Sequence, residues 1–319
     1  MVFMSKCFSF TAWKNSCYRS FFSQSGLRST ISDFGDGTVM HCWVPKMRSE
    51  TKPDLVLIHG FGANAMWQWG EILRPLISHF NVYVPDLIFF GESYTTRPEW
   101  SEEFQAWCVM RVVRAHWAGR VSLAGLSYGG FVAYSMAAQF PESVARVVLC
   151  AAGVGLEERD LVEGMFPVAD LEEVAKILLP QTVEKMRELM KYTLVRPPLV
   201  LPSCFLQDYI DATFTEYVEE KKELIRAIPK NRKLSNLPKI TQPTLIIWGD
   251  QDRVFPLELG YRLKRHLGES AQLQVIKDTG HALNVEKPKD LYKHIKAFLA
   301  DPLPSSSKPS SQSFQPQMT

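Results

Sequence analysis

One stretch decides how this chain folds: Val121-Ser122-Leu123-Ala124-Gly125-Leu126-Ser127-Tyr128-Gly129-Gly130. An apolar run breaks off at a serine between two glycines, which predicts a strand, a sharp turn and a helix. Gly125 and Gly129 suit this turn, because a Cβ on either residue would collide with the adjoining strand or helix. Ser127 would then stand at the edge of a sheet. The amide N–H of Tyr128, at the start of the helix, would be placed to stabilise an oxyanion.

The segments before and after this stretch alternate between strands and helices. The predicted strands are residues 38–44, 55–58, 82–84 and 144–151, and the predicted helices are residues 65–79 and 101–116. Most of these strands are continuous apolar runs, as expected when helices cover both faces of a sheet, whereas residues 38–44 alternate like an edge strand. The order of strands and helices predicts right-handed crossovers and a mostly parallel sheet.

The second half of the chain contains a helical insertion. From about residue 155 to residue 236, short amphipathic patterns are interrupted by prolines, which predicts a series of short helices. Strands are predicted again over residues 244–248 and 273–276, and helices over residues 257–267 and 288–299. We therefore predict a core in two parts, residues 30–154 and 237–300, and a helical cap, residues 155–236, inserted after the sixth strand.

Both ends of the chain differ in composition from the core. Residues 1–29 combine four basic residues with many aromatic residues and serines, and the first acidic residue is Asp33. This composition predicts an N-terminal extension that is either a targeting segment, a membrane-surface segment or disordered chain. Residues 301–319 are rich in Pro, Ser and Gln, which predicts a disordered tail.

The overall composition narrows the class of protein. The 319 residues have a net charge of +2 and 46% hydrophobic side chains, which allows a large core and argues against a nucleic-acid-binding surface. No run of about 18 apolar residues predicts a membrane-spanning helix, although peripheral membrane contact stays open. The six cysteines are scattered without a C-x-x-C pair. That pattern favours reduced thiols and a cytoplasmic protein, with organelle targeting as the alternative. We expect a monomer or a dimer.

A nucleophilic serine requires a base and an acid that orients the base. Asp252 and His281 each follow a predicted strand, so both would meet Ser127 at the carboxyl edge of the parallel sheet. Asp250 and Asp278 are the alternatives for the acid. We prefer Asp252, because Asp250 is suited to forming the turn itself.

The loop after residues 55–58 reads His59-Gly60-Phe61-Gly62. A second oxyanion donor is expected from a loop at this position, and we assign it to the amide of Phe61, beside that of Tyr128. We expect His59 to be structural, hydrogen-bonded beneath the loop, and Asp86 to shape a turn. This chemistry requires neither a metal nor a cofactor.

Four motifs in this order resemble the α/β-hydrolase superfamily over about residues 29–300. They are Leu57-Ile-His-Gly-Phe-Gly62, Gly125-Leu-Ser-Tyr-Gly-Gly130, Ile247-Trp-Gly-Asp-Gln-Asp-Arg-Val254 and Gly280-His-Ala-Leu-Asn-Val-Glu-Lys-Pro288. In the cap, Leu179-Pro-Gln-Thr-Val-Glu-Lys-Met186 and Arg196-Pro-Pro198 resemble the monoacylglycerol-lipase-like branch, and also plant proteins of unassigned substrate.

The resemblance implies a serine hydrolase that cleaves a small or lipid-like carboxylic ester through an acyl-enzyme. In this scheme Ser127 attacks the carbonyl, His281 takes the proton and Asp252 orients His281. The amides of Phe61 and Tyr128 stabilise the oxyanion. The side chains expected to line an apolar acyl pocket are Trp67, Trp69, Phe131, Met165, Phe166, Met190 and Phe205.

Other functions stay open beside this one. Hydrolases that cleave a carbon–carbon bond in ring-cleavage products have a similar outline, but they usually carry Trp after the base, where this chain has Ala282. A small-molecule receptor that keeps the fold and the triad belongs to a different class. An acyltransferase would differ only in the acceptor that reaches the acyl-enzyme. A dehalogenase or epoxide hydrolase would need Asp in place of Ser127.

Overall fold

A computed structural model describes residues 9–116, 119–198 and 200–300. Its strands form one sheet and are, in chain order, β1 (Leu27–Asp33), β2 (Thr38–Pro45), β3 (Asp54–Ile58), β4 (Asn81–Pro85), β5 (Tyr94–Thr95), β6 (Val121–Leu126), β7 (Val144–Cys150), β8 (Thr244–Gly249) and β9 (Ala271–Ile276). The order across the sheet is β1-β2-β4-β3-β6-β7-β8-β9, and β5 pairs with β2. From β4 to β9 all neighbours are parallel, whereas β2 runs antiparallel to β1, β4 and β5.

Helices cover both faces of this sheet. They are α1 (Phe10–Gln24), α2 (Ala65–Ile77), α3 (Glu102–His116), α4 (Tyr128–Gln139), α5 (Arg159–Val162), α6 (Leu171–Leu178), α7 (Val183–Thr193), α8 (Ser203–Thr213), α9 (Val218–Ala227), α10 (Leu257–Leu267), α11 (Leu283–Glu286) and α12 (Pro288–Ala300), with 3₁₀ turns at Leu234–Asn236 and Gly268–Ser270. One apolar core contains side chains of α3, α4 and α10, and a second contains side chains of α1, α2 and α12. The predicted α/β class with a mostly parallel sheet is confirmed.

The edge of the sheet lies one strand further out than predicted. Residues 38–44 do form a strand, but β1 pairs with it from Leu27 opposite Pro45 to Asp33 opposite Val39. β2 is therefore internal and β1 is the edge. The sequence of β1 gave no signal because only Leu27 is buried in it and Ile31 is exposed, so the alternation that predicts a half-buried strand is missing.

The N-terminal segment contains a packed helix that the sequence did not predict. The side chain of Ser9 caps α1 by accepting a hydrogen bond from the amide of Ala12 at 3.0 Å. Phe22 is fully buried against Trp43, with ring centroids 5.3 Å apart. α1 thereby packs on the core instead of forming loose chain. A targeting role for residues 1–29 stays a prediction, and residues 1–8 and the predicted tail, residues 301–319, lie outside the described residues.

The cap follows β7, which is the sixth strand when the two-residue β5 is left out and β1, which was not predicted, is counted. Helices α5 to α9 form it, and they enclose a small apolar cluster of their own. Tyr209 in the cap donates a hydrogen bond to the carbonyl of Gly62 at 2.8 Å. The carbonyl of Thr193, at the end of α7, accepts one from the amide of Ala282 at 2.9 Å. The cap therefore lies over the carboxyl edge of the sheet.

None of the helices in the described ranges is long and apolar enough to cross a membrane.

Candidate active site

Ser127 occupies a strained turn between β6 and α4. Its backbone has φ 53° and ψ −121°, a conformation that L residues rarely adopt and that holds the side chain at the edge of the sheet. A Cβ on Gly125 would lie 2.2 Å from the carbonyl oxygen of Gly129, and a Cβ on Gly129 would lie 2.2 Å from that of Ile58. The prediction that both glycines must stay small is confirmed.

Three side chains from separate strand ends meet at this turn. Nε2 of His281 lies 2.9 Å from Oγ of Ser127, and Nδ1 of His281 lies 2.9 Å from Oδ2 of Asp252. The other oxygen of Asp252 accepts hydrogen bonds from the amides of Val254 at 2.8 Å and Phe255 at 2.9 Å. The carboxylate is thus fixed on both oxygens, so it can hold the imidazole with Nε2 directed at the serine.

The neighbouring acids make other contacts. Oδ1 of Asp250 accepts a hydrogen bond from the amide of Thr279 at 3.2 Å and so ties the ends of β8 and β9 together. Asp278 has a positive φ of 51°, which is typical of a turn residue. Of the three candidate acids, Asp252 is the one that contacts His281.

The loop after β3 lies directly against the serine turn. A Cβ on Gly60 would approach Cβ of Ser127 to 2.8 Å and the amide nitrogen of Tyr128 to 3.2 Å. Among the hydrogen bonds of the described residues, none uses the amide N–H of Phe61 or of Tyr128. Two donors are therefore available beside the serine, which is the requirement for an oxyanion hole.

Residues 53–288 match the protein family described as the alpha/beta hydrolase fold. The chain belongs to this family.

Relatives of this α/β-hydrolase include enzymes of two kinds. It is 31% identical over 265 residues to 2-hydroxy-6-oxo-2,4-heptadienoate hydrolase of Pseudomonas putida, covering 77% of this chain and 88% of the relative. It is 27% identical over 271 residues to monoacylglycerol lipase ABHD6 of Mus musculus, covering 81% of this chain and 79% of the relative. A crystal structure of a membrane phospholipase A, described as a bacterial virulence factor, superposes with a TM-score of 0.74 and 28% identity over 91% of this chain and 90% of that one. The α/β-hydrolase is thus monoacylglycerol-lipase-like.

A buried glutamine holds the candidate oxyanion loop, residues 59–64, in place in this α/β-hydrolase. Oε1 of Gln68 accepts from the amide of Gly60 at 2.8 Å, and Nε2 donates to the carbonyl of Phe61 at 2.8 Å. Sequence reasoning missed this residue. The available signal was a polar side chain on the face of α2 that is otherwise apolar, where a buried amide needs partners.

His59 supports the same loop from below, as predicted, whereas Asp86, which was expected to shape a turn, contacts the start of α2. Nε2 of His59 accepts from the amide of Leu87 at 2.9 Å, and Nδ1 lies 2.9 Å from the carbonyl of Gly60. Burial lowers the pKa of His59, so the ring stays neutral in this structural role. Asp86 accepts from the amide of Ala65 at 2.9 Å and contacts Nδ1 of His41 at 2.8 Å, which fixes the start of α2.

An apolar cavity of about 100 Å³ lies between the cap and the core. Phe166, one of the predicted pocket residues, lines it together with Phe255. The ring of Phe255 has its centroid 5.7 Å from that of His281 and 6.4 Å from that of Phe166. Phe255 therefore connects the cavity to the serine site. Sequence reasoning missed it, although it follows Asp252 by only three residues.

The other predicted pocket residues lie elsewhere. Trp69 is fully buried in the core, whereas Trp67 packs under α1 against Tyr18, with ring centroids 5.4 Å apart. Side chains two positions apart on a helix are rotated by about 200° about its axis and so point in nearly opposite directions. These two indoles therefore cannot line the same wall. Phe205 is 46% exposed and packs against Phe10.

The last three predicted pocket residues also lie away from the apolar cavity. Phe131 is fully buried behind the site, with its ring 5.7 Å from that of Phe255. Met165 packs on the core, with its sulfur 4.0 Å from Arg262, and Met190 is half-buried in α7. None of the three is among the residues that line the apolar cavity.

Within the described ranges, no cluster of three or more His, Cys, Asp or Glu side chains is arranged to hold a metal ion.

Proposed function

We propose that this α/β-hydrolase cleaves a carboxylic ester through an acyl-enzyme on Ser127. The observation that carries the proposal is the line of contacts from Oγ of Ser127 through the imidazole of His281 to Asp252, with 2.9 Å at each step. In that arrangement the imidazole takes the proton as Oγ attacks a carbonyl carbon, and the carboxylate stabilises the imidazolium that forms.

The remaining steps would use groups that lie beside the serine. The amides of Phe61 and Tyr128 donate to the oxyanion of the tetrahedral intermediate. His281 then gives its proton to the leaving alcohol, which departs and leaves the acyl group on Ser127. A water molecule that loses its proton to His281 attacks the acyl carbon and releases the acid. Two backbone amides and the imidazole hold the carboxylate of Asp252 in the same place throughout.

The surroundings favour an ester with an apolar group. The cavity beside Phe255 is lined mainly by apolar side chains of the cap and the core, so it would accept a hydrocarbon portion of the substrate. A lipase is among the relatives and a phospholipase among the similar structures. We therefore propose a lipid-like acyl ester as the first substrate class to test.

Hydrolysis of a ring-cleavage product is the second candidate. It is favoured by the 31% identity to the 2-hydroxy-6-oxo-2,4-heptadienoate hydrolase, a higher identity than to the lipase. The same serine, base and oxyanion donors would serve that reaction. Ala282, in the place where such enzymes usually carry Trp, argues against it.

One experiment separates these candidates. The wild-type chain, Ser127→Ala and the control Ser135→Ala are treated with a fluorophosphonate probe. They are then assayed on p-nitrophenyl esters of increasing acyl length and on a 2-hydroxy-6-oxo-dienoate. We expect labelling and ester turnover in the wild type and the control, and neither in Ser127→Ala. Labelling that persists in Ser127→Ala would contradict the proposal, and faster turnover of the dienoate would favour the second candidate. Labelling without turnover of any substrate would favour a receptor.

A further inference from the structure

A lysine is buried in the cap next to the oxyanion loop. Lys221, on α9, is only 4% exposed. Nζ donates to the carbonyl of Glu216 at 2.9 Å and lies 5.0 Å from the ring centroid of Phe90. Within the described part of the chain, no carboxylate forms an ion pair with this ammonium group; Glu216 and Glu220 are the nearby acids. A buried charge without a counter-ion is costly, which is why buried lysines usually have an acidic partner.

Lys221 faces a small cavity between three parts of the chain. The cavity has a volume of about 80 Å³, and its wall includes Asn15 of α1, Asn64 of the oxyanion loop and Phe90. Oδ1 of Asn15 accepts a hydrogen bond from the indole N–H of Trp67, and Oδ1 of Asn64 accepts one from the backbone amide of Trp67. Among the described residues, neither Nδ2 atom donates a hydrogen bond. The wall therefore offers one cation and two neutral donors, and it also includes Glu216, which is exposed.

The backbone on both sides of the cavity is strained. Phe89 has φ 74° and Tyr217, which precedes α9, has φ 53°. Their rings pack 5.6 Å apart, and the carbonyl of Tyr217 accepts the amide hydrogen bond of Lys221 at 2.9 Å. Large side chains at positive φ persist where the surroundings impose them, and they concentrate at functional sites. Here the strain holds Lys221 in place over the cavity.

We propose that this cavity binds a small monocarboxylate through Lys221, Asn15 and Asn64. The ammonium group of Lys221 matches one carboxylate, because it is buried without an ion pair while Glu216 is exposed, and the two amide groups supply further donors to the oxygens of the ligand. The aromatic wall formed by Trp67, Phe89 and Phe90 suits a short apolar group attached to that carboxylate.

Charge on Lys221 at neutral pH is compatible with this site. Burial lowers the pKa of Lys221 to about 8, and the charges of Glu216 and Glu220 raise it only in part. At pH 7 the ammonium form therefore still predominates. A bound carboxylate would favour that form further.

Contacts between aromatic rings connect this cavity to the serine site. The ring of Phe90 packs against that of Phe61 at 5.3 Å, and Phe61 packs against Tyr128 at 5.1 Å. These last two residues carry the candidate oxyanion amides. The carboxylate could belong to the substrate itself or to a separate effector, and the chemistry that binds it is the same.

Calorimetric titration of the full chain with sodium propionate tests the proposal, with propionamide as the neutral probe. The titration does not depend on turnover, so its failure is distinct from failure of the ester-hydrolase proposal. We expect saturable binding of propionate and at least tenfold weaker binding to Lys221→Met, since a hydrogen bond to a charged group contributes roughly 1.5–3 kcal/mol. Lys222→Met is the matched control, because Lys222 is the next residue of α9 and pairs with Glu219 at 2.7 Å. It should bind within twofold of the wild type.

Lys221→Gln provides a second neutral variant if Lys221→Met does not fold. The proposal is overturned if the wild type shows no saturation, if propionamide binds as tightly as propionate, or if the neutral variants bind like the wild type. Steady-state kinetics on an ester then show whether the bound carboxylate belongs to the substrate or to a separate effector. Competition between propionate and the ester indicates a carboxylate group of the substrate, and a change in kcat indicates a separate effector.

Discussion

Replacing Gly60 by Ala tests the oxyanion site through its geometry. The new Cβ would lie 2.7 Å from the carbonyl oxygen of Leu126, 2.8 Å from Cβ of Ser127 and 3.2 Å from the amide nitrogen of Tyr128. Carbon atoms do not approach backbone oxygen or carbon this closely, and the atoms in the way belong to a fixed turn. The loop after β3 must therefore move away from the serine by several tenths of an ångström.

That movement separates the two oxyanion donors, because the amide of Phe61 travels with the loop while the amide of Tyr128 stays at the turn. Loss of one oxyanion donor lowers kcat by about 100-fold to 1000-fold, or roughly 2.7–4 kcal/mol. We expect a fall of about 100-fold in kcat for Gly60→Ala. KM should change little, since the donors stabilise the transition state more than the bound ester.

The assay is steady-state hydrolysis of a p-nitrophenyl ester, with the concentration of folded sites counted by fluorophosphonate labelling. Gly155→Ala is the matched control, because its nearest new contact is 3.3 Å and it lies outside the site. A kcat for Gly60→Ala within threefold of the wild type, with an unchanged melting temperature, would refute this account of the oxyanion hole.

Four more outcomes follow from the same contacts. Asp252→Asn should lower kcat about 10,000-fold on the same ester, because the imidazole loses the partner that fixes its tautomer, and Asp250→Asn should leave kcat near the wild-type value. In urea titrations, stability should be full above about pH 6.5 and fall as the pH drops, because burial lowers the pKa of His59 and the unfolded chain binds the extra proton. Measured relative to Lys221→Met, wild-type stability should rise by about 3 kcal/mol between pH 8 and 10.5, where folded Lys221 is neutral and the unfolded lysine is charged. The comparison with the variant is needed because burial raises the pKa of Cys42, Cys108 and Cys150, which lowers the stability of both proteins in this range. Phe22→Ala should cost about 3–5 kcal/mol in the same titrations, and a cost below 1 kcal/mol would contradict the packing of α1.

The core of the fold could be predicted because its signals are local. β3, β6 and β8 are buried along their whole length, so each one is a continuous apolar run in the sequence. The serine turn is recognised from a short motif, although only part of its constraint is local. A Cβ at Gly125 would meet Gly129 and Gly130 of the turn itself, whereas a Cβ at Gly129 would meet Ile58 and His59 at the end of β3. The order of strands then brought Asp252 and His281 to the same edge without any knowledge of side-chain packing.

α1 could not be predicted because its partners are distant in the chain. The amide of Thr11 donates to Asp208 of the cap at 2.7 Å, and Trp67 of α2 packs under the same helix. A segment with Phe10 and Trp13 exposed has no clean apolar face of its own. Its helix becomes stable through the surfaces that α2 and α8 present, and sequence periodicity does not report those surfaces.

The same limit explains why most of the predicted pocket residues do not line the apolar cavity, whereas the three predicted triad side chains lie in contact. A wall residue is chosen by the face of its helix that meets the cap, and that face depends on how α5 to α9 pack on one another. Phe166 reaches the cavity because it lies in the segment that crosses above Phe255, whereas Phe205 faces outward against Phe10. The candidate triad is therefore predictable from short motifs at strand ends, whereas the wall of the apolar cavity depends on the tertiary packing of the cap. Substitutions at Phe166 should consequently alter the preferred acyl length and leave labelling of Ser127 intact.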